Sequence, residues 1–349
     1  MPEAPAEIRV GLIGAGGIAL AHHLPGLARV PGVRVVAIAD PDGGARARAA
    51  QVTTADLLDD PAALIARDDV DAVVIGAPSD LHAALAVDAA GAGLHAYVEK
   101  PVAIDRAGGE AVRRAVGDAG TVAVVGLNRR LHPLYRHARR LVARGRIGRL
   151  VAAQTVFSEP YADGAMPAWK RTRATGGGVL LDLATHHIDQ LRWLTGEEVL
   201  RVSATCASER TEQDGAWLDL HLSGGAVAQC AFSFRGGFAD HIELIGERGT
   251  LRVDRHRASI ALRLRRRRGY GLRVARPVPS AELASWRLRR PVGGGSEPSY
   301  AAALAAWIAQ VRGGPAAAAT LEDGLRGLDV VLAAEESART GRAVACASS

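Results

Sequence analysis

Lysine is nearly missing from this chain: Lys100 and Lys170 stand alone against 41 arginines. Asparagine is scarcer still, with Asn128 the single instance. Where almost every cation is a guanidinium, which cannot release its proton, a retained lysine suggests chemistry that needs an amine. Cysteine is also sparse. Cys206, Cys230 and Cys346 lie far apart without a Cys-x-x-Cys pair, which argues against a disulfide framework, a zinc knuckle or a thioredoxin-like motif and fits a reducing cytoplasm. No run reaches the roughly 18 apolar residues of a membrane span. The acidic start, MPEAPAEIRV, has no apolar core of signal-peptide length. These absences predict a soluble, cytoplasmic protein with no membrane partner.

What is present is a globular composition, 48% hydrophobic and 23% charged over 349 residues, a length that predicts two domains. The net charge of +6 and pI of about 9.7 invite a nucleic-acid reading. The charge is concentrated, however: residues 252–290 carry thirteen arginines against Asp254 and Glu282, a net of +11 that leaves −5 for the rest. That segment contains no helix-turn-helix or finger pattern, and no nucleic-acid partner is expected. The alternation of Ile260, Leu262 and Leu264 with Ala261, Arg263 and Arg265 describes a half-exposed edge strand instead.

The first third alternates strand-like and helix-like segments. Apolar runs at 8–13, 33–39, 72–75, 95–98 and 122–125 are separated by probable helices near 18–29, 43–51, 80–91 and 105–117. Such alternation predicts a parallel sheet covered on both faces, with ligands at the carboxyl ends of its strands. After Asn128 come a basic helix near 133–144, a strand at 150–157 and a helix near 179–194. Period-two runs between 199 and 264 then predict an antiparallel sheet, residues 269–296 read as a loop, and helices near 298–311 and 321–339 close the chain. The expected domains are 1–128, binding a dinucleotide, and 129–349, binding substrate and forming oligomers.

Three constellations carry chemistry. Gly14-Ala15-Gly16-Gly17-Ile18-Ala19 follows the first strand and opens a helix, matching Gly-x-Gly-x-x-Ala. Gly14 allows the tight turn, Gly16 lets a pyrophosphate approach the backbone, and Ala19 permits close helix packing. Asp40 ends the second run, where a carboxylate binds the ribose hydroxyls of NAD and repels the 2′-phosphate of NADP; Arg46 and Arg48 nearby soften that preference. Next, Glu99-Lys100-Pro101 ends the 95–98 run, and proline keeps its predecessor out of helix, so the Lys100 amine should enter the crevice. Third, Asp182 and His186 follow the glycines 176–178 at i and i+4 of a helix, where a carboxylate sets an imidazole's orientation and basicity. Asp189 is a second candidate partner. No third ligand accompanies the pair, so no metal is expected.

In order along the chain, these motifs, together with Pro78-Ser79-Asp80-Leu81-His82, Gly126-Leu127-Asn128-Arg129-Arg130 and Gly145-Arg146-Ile147-Gly148, resemble the Gfo/Idh/MocA family of NAD(P)-dependent oxidoreductases. The resemblance implies a Rossmann domain followed by an α+β domain with an open, mostly antiparallel sheet, packed sheet to sheet into homodimers or homotetramers. It also implies oxidation or reduction of one carbinol carbon of a sugar or cyclitol. By position, Lys100 matches the family's active-site lysine and Asp182 and His186 its Asp-x-x-x-His pair. Gly14, Gly16, Gly17, Ile18, Asp40, Pro78, His82, Glu99 and Asn128 are then expected at NAD, with NADP the lesser cofactor. Lys100, Asn128, Trp169, Lys170, Asp182 and His186 are expected at the polyol, sugar or aminosugar substrate. In the 159–175 loop, Glu159 and Asp163 would suit an ammonium, and Lys170, Arg171 and Arg173 an acidic group. Two other readings stand beside the dehydrogenase: a nucleotide-sugar ketoreductase that uses the arginines on a diphosphate, and a sugar-sensing regulator without catalysis.

Overall fold

Short aliphatic runs become the strands of a parallel sheet because both of their faces are covered. The computed structural model describes residues 7–161, 165–265, 272–275 and 297–347, in two units: Met1–Leu131 with Ser296–Leu325, and His132–Gly295 with Arg326–Ser349.

In the first unit, β1 (Ile8–Ile13), β2 (Val33–Ala39), β3 (Asp56–Leu58), β4 (Ala72–Ile75), β5 (His95–Val98) and β6 (Ala123–Val125) form one sheet in the order β3-β2-β1-β4-β5-β6. Every pairing is parallel. The order reverses between β1 and β4, which opens a crevice beyond the carboxyl ends of these two strands. The sequence misses β3 and the short helix Pro61–Ile65 because three and five residues are too few to display a period. Where the sequence predicts one boundary after residue 128, this unit is discontinuous: Leu304, Trp307 and Ile308 of the helix Pro298–Val311 are buried with Val10, Leu12, Leu27 and Tyr97 in a single core.

The second unit is built on nine strands. β7 (Leu150–Ser158), β8 (Val199–Ala207), β9 (Gly215–Leu222), β10 (Val227–Ser233), β11 (Ala239–Gly246), β12 (Gly249–Asp254), β13 (Ser259–Arg265), β14 (Leu272–Ala275) and β15 (Val344–Ala345) run in the order β14-β13-β12-β11-β7-β10-β9-β8-β15. Only β7 and β10 pair in parallel. Alternate residues are buried: Ala216, Leu218, Leu220 and Leu222 point inward, while Trp217 and Asp219 are exposed. One expectation needs correcting. β13 is not an edge, because β14 pairs along it within the stretch read as loop; the alternation of Leu262 with Arg263 reflects one covered face. The remaining arginines of 266–271 and 276–290, and Asp163, lie outside the described residues.

Candidate active site

At the end of β1 the chain turns through Gly14, whose φ is +97°. A Cβ there would lie 2.6 Å from the Gly76 carbonyl oxygen, so only glycine fits between β1 and the end of β4. Gly16 and Gly17 differ. A Cβ at either meets nothing within 4 Å; no protein contact demands glycine there, and the bare backbone is free to approach a ligand. Ile18 beside them is 45% exposed. Asp40 reaches the turn from β2: one carboxylate oxygen accepts the Ala15 N–H at 2.7 Å and the other the Asp42 N–H at 2.9 Å. The Arg46 guanidinium donates to the Asp40 carbonyl at 2.6 Å. A glycine turn with open space above it and a carboxylate at the neighbouring strand end fits the pyrophosphate and ribose of a dinucleotide.

The ends of β4 and β5 are tied together by His82. Its Nδ1 lies 2.7 Å from the Pro101 carbonyl oxygen and its Nε2 2.8 Å from that of Ala77. Burial lowers its pKa even against these two carbonyls, which favour the cation. Lys100 follows β5, and its peptide bond to Pro101 is cis. Glu99 is 7% exposed and turned inward onto His23. Asn128 donates its amide to the Ser299 hydroxyl at 3.0 Å, within the first unit.

In the second unit the glycines 176–178 lie against the 170–172 segment: a Cβ at Gly177 would lie 2.3 Å from the Lys170 carbonyl oxygen. The following turn, Leu180–Ala184, is π-helical, and an α-helix, Thr185–Thr195, continues it. Asp182 sits on the wide turn and His186 on the regular helix that continues it. The Asp182 carboxylate holds the Lys170 ammonium at 2.6 Å, and the same Nζ donates to the Tyr161 hydroxyl at 2.9 Å. The Trp169 and Tyr161 rings flank it, their centroids 5.3 and 5.6 Å away. Burial works against the lysine's charge, but Asp182 and Tyr161 outweigh it and raise its pKa above the ordinary value. Burial likewise raises the Tyr161 pKa. His186 is half-buried beside the Phe157 ring, at 6.3 Å. Its neighbour His187 is fully buried, stacked on Phe157 at 5.2 Å and bonded to Asp240 at 3.0 Å, and so serves as a core residue. Tyr161 is the site residue that sequence reasoning misses; its one signal is membership of the loop that contains Lys170.

The family profile for an oxidoreductase with an NAD-binding Rossmann fold matches residues 8–127, and that for the GFO/IDH/MocA C-terminal domain matches residues 135–252. The chain belongs to the Gfo/Idh/MocA family. Among its relatives in that family, an inositol 2-dehydrogenase of Acidothermus cellulolyticus is 30% identical, with 97% of this chain and 95% of the relative aligned. A levoglucosan dehydrogenase of Pseudarthrobacter phenanthrenivorans is 34% identical over 60% of this chain and 57% of its own. The WlbA dehydrogenase of Bordetella pertussis, solved with NADH and UDP-GlcNAcA, superposes with a TM-score of 0.86 over the full length of both chains at 23% identity, which establishes the shared fold. Family membership makes this chain an NAD-dependent oxidoreductase acting on CH–OH groups. No helix of the described residues is long and apolar enough to cross a membrane.

Proposed function

We propose that this protein oxidises a secondary alcohol of a cyclitol, sugar or aminosugar. The observation that carries the reading is Lys100. It follows a buried strand of the parallel sheet at the carboxyl end, where such sheets hold ligands, and it is one of two lysines among 41 arginines. Bound NAD supplies the hydride acceptor. The protein supplies the rest: His186 takes the hydroxyl proton, Lys100 donates a hydrogen bond to the same oxygen and stabilises the developing alkoxide, and Asp182 with Lys170 fixes the charge distribution around them. Reduction reverses these roles.

Gly14, Gly16, Gly17 and Ile18 hold the pyrophosphate side of NAD, and Asp40 its ribose, in preference to NADP. The Pro78–His82 segment and Glu99 shape the nicotinamide side. Trp169 and Lys170, with Asn128, define the polyol side. The units act as a dinucleotide-binding domain and a substrate domain. In the second, the outward face of the sheet carries Trp217, 49% exposed, over the row Asp219, Gln229 and Gln154; a second copy covers this face in a homodimer or homotetramer. Three free cysteines suit a reducing cytoplasm.

The test is reduction of NAD to NADH, then of NADP to NADPH, across inositols, free sugars, aminosugars and nucleotide-linked sugars. One group should reduce NAD, and on it Lys100→Met and His186→Ala should each lower kcat by about 10²–10⁴-fold while retaining affinity for NADH. Either variant turning over at the wild-type rate overturns its assigned role. NADH binding without turnover of any alcohol overturns the dehydrogenase direction.

A further inference from the structure

His23 and Glu99 form a buried pair to which the reaction as described gives no chemical step. His23 lies on the π-helical turn Ala19–His23, just past the glycine turn, and is fully buried. Its Nε2 is 2.9 Å from one carboxylate oxygen of Glu99. The other oxygen accepts the backbone N–H of Lys100 at 3.3 Å. One carboxylate therefore joins the dinucleotide turn to the peptide that carries the amine. We infer that His23 is a positioning residue for Lys100, acting through Glu99; the inference rests on the reading of Lys100 as the group at the carbinol oxygen.

The surroundings are shaped around this pair. The Tyr97 and Tyr300 rings meet the His23 ring edge-on, at 5.9 and 5.8 Å. A Cβ at Gly126 would lie 2.8 Å from the Glu99 oxygen that accepts the Lys100 N–H, and one at Gly76 would lie 3.6 Å from the imidazole; the first glycine leaves the carboxylate its place. Burial alone would raise the Glu99 pKa, but the His23 hydrogen bond outweighs it and, with the nearby Lys100 charge, holds the pKa below the ordinary value. Kept ionised, the carboxylate accepts from the imidazole and from the Lys100 amide together. A solvated salt bridge would leave that peptide free to shift; a buried acceptor fixed from two sides does not. Misplacing a reacting group by about 1 Å costs on the order of 100-fold in rate, so the pair is expected to act on kcat rather than on binding.

The experiment uses three variants. His23→Leu removes the N–H donor but keeps bulk, His23→Gln keeps a donor, and Gly126→Ala pushes the carboxylate aside without touching a titratable group. Each is made in wild type and in Lys100→Met, with the alcohol that wild type oxidises fastest. His23→Leu should lower kcat about 10- to 100-fold with the KM for NAD within about threefold, and His23→Gln should recover most of the loss. In the Lys100→Met background His23→Leu should cost nothing more, because its effect passes through the missing amine. An equal loss in both backgrounds, or a loss confined to KM, overturns the inference. Wild-type kcat in Lys100→Met itself defeats the parent reading instead. The pair is then read without substrate, by methyl NMR of the reductively methylated, NADH-bound protein. With two lysines in the chain, the Lys100 signal stands apart from that of Lys170. His23→Leu and Gly126→Ala should move the first and leave the second. An unmoved Lys100 signal refutes the positioning role, and Gly126→Ala carries the test alone if His23→Leu does not fold.

Discussion

Replacing Lys170 with methionine tests the charge structure of the second unit directly. The substitution keeps an unbranched chain of similar length between the Trp169 and Tyr161 rings and removes the ammonium. Lys170 and Asp182 meet at 2.6 Å with side chains only 17% and 9% exposed. Breaking a buried pair by deleting one partner costs about 3–5 kcal/mol, because the other charge is left without compensation. The Tyr161 hydroxyl also loses its donor partner at 2.9 Å, worth roughly 1 kcal/mol. Some water reaches the lysine end, so the low end of the range applies, about 3 kcal/mol. At roughly 2–4 °C per kcal/mol for a unit of this size, the melting temperature should fall by roughly 6–12 °C.

The pH dependence provides a second, signed test. In wild type the folded pKa of Lys170 is raised; its contribution is complete below the ordinary lysine value of about 10.4 and fades only as pH climbs through the higher folded value. Wild-type stability therefore owes no slope to Lys170 near neutrality. In Lys170→Met the buried Asp182 loses the ammonium at 2.6 Å that favours its charged form. The gap between variant and wild type should then widen as pH rises from about 4, the ordinary aspartate value, toward pH 8. Adding Asp182→Asn should restore part of the loss, since the carboxylate that Lys170 compensates is then neutral. Thermal unfolding by circular dichroism across that range decides the matter. A variant melting within about 2 °C of wild type at pH 8, with a gap that does not widen, refutes the argument.

The nucleotide end gives further outcomes. Gly14→Ala, strained by a φ of +97° and a backbone oxygen at 2.6 Å, should lower stability by about 1–3 kcal/mol. Gly16→Val, projecting into open space, should leave the melting temperature unchanged yet abolish NADH binding by fluorescence titration; wild-type affinity would remove this turn from the cofactor site. Asp40→Ser should weaken NADH binding about tenfold and narrow the preference over NADPH, worth about 1.4 kcal/mol; an unchanged preference places the discrimination elsewhere. Trp217→Arg on the outward sheet face should reduce the molar mass measured by light scattering on a sizing column, and an unchanged mass excludes that face as the subunit interface.

Most of the fold is legible in the sequence because its strands are buried on both faces or one. β1, β2, β4 and β5 coincide with aliphatic runs read directly from the chain, and the second sheet shows its period of two. β3 escapes because three residues at the rim carry no pattern. The placement of the helix Pro298–Val311 escapes for another reason: its apolar residues show that it is buried, whereas its partners in the core, Val10 and Tyr97 among them, lie some two hundred or more residues away along the chain. Periodicity reports that a face is covered and is silent about what covers it.

The same distinction governs the site. The residue types were legible: a lysine in an arginine-rich chain, a carboxylate at a strand end, a histidine after a glycine turn. Their pairings were not. Glu99 reads as a cofactor contact by position, yet its carboxylate is directed at His23, 76 residues earlier, because the close approach of its chain at Gly126 leaves it room there. Asp182 and His186 read as partners from a spacing that assumes one regular helix. The ammonium at 2.6 Å from Asp182 comes from Lys170, on the loop that the glycines 176–178 let pass close by. Widened turns of this kind recur at functional sites, and here one occurs after each of the two glycine turns. In both places a side chain of the widened turn meets a partner from another segment: His23 meets Glu99, and Asp182 meets Lys170.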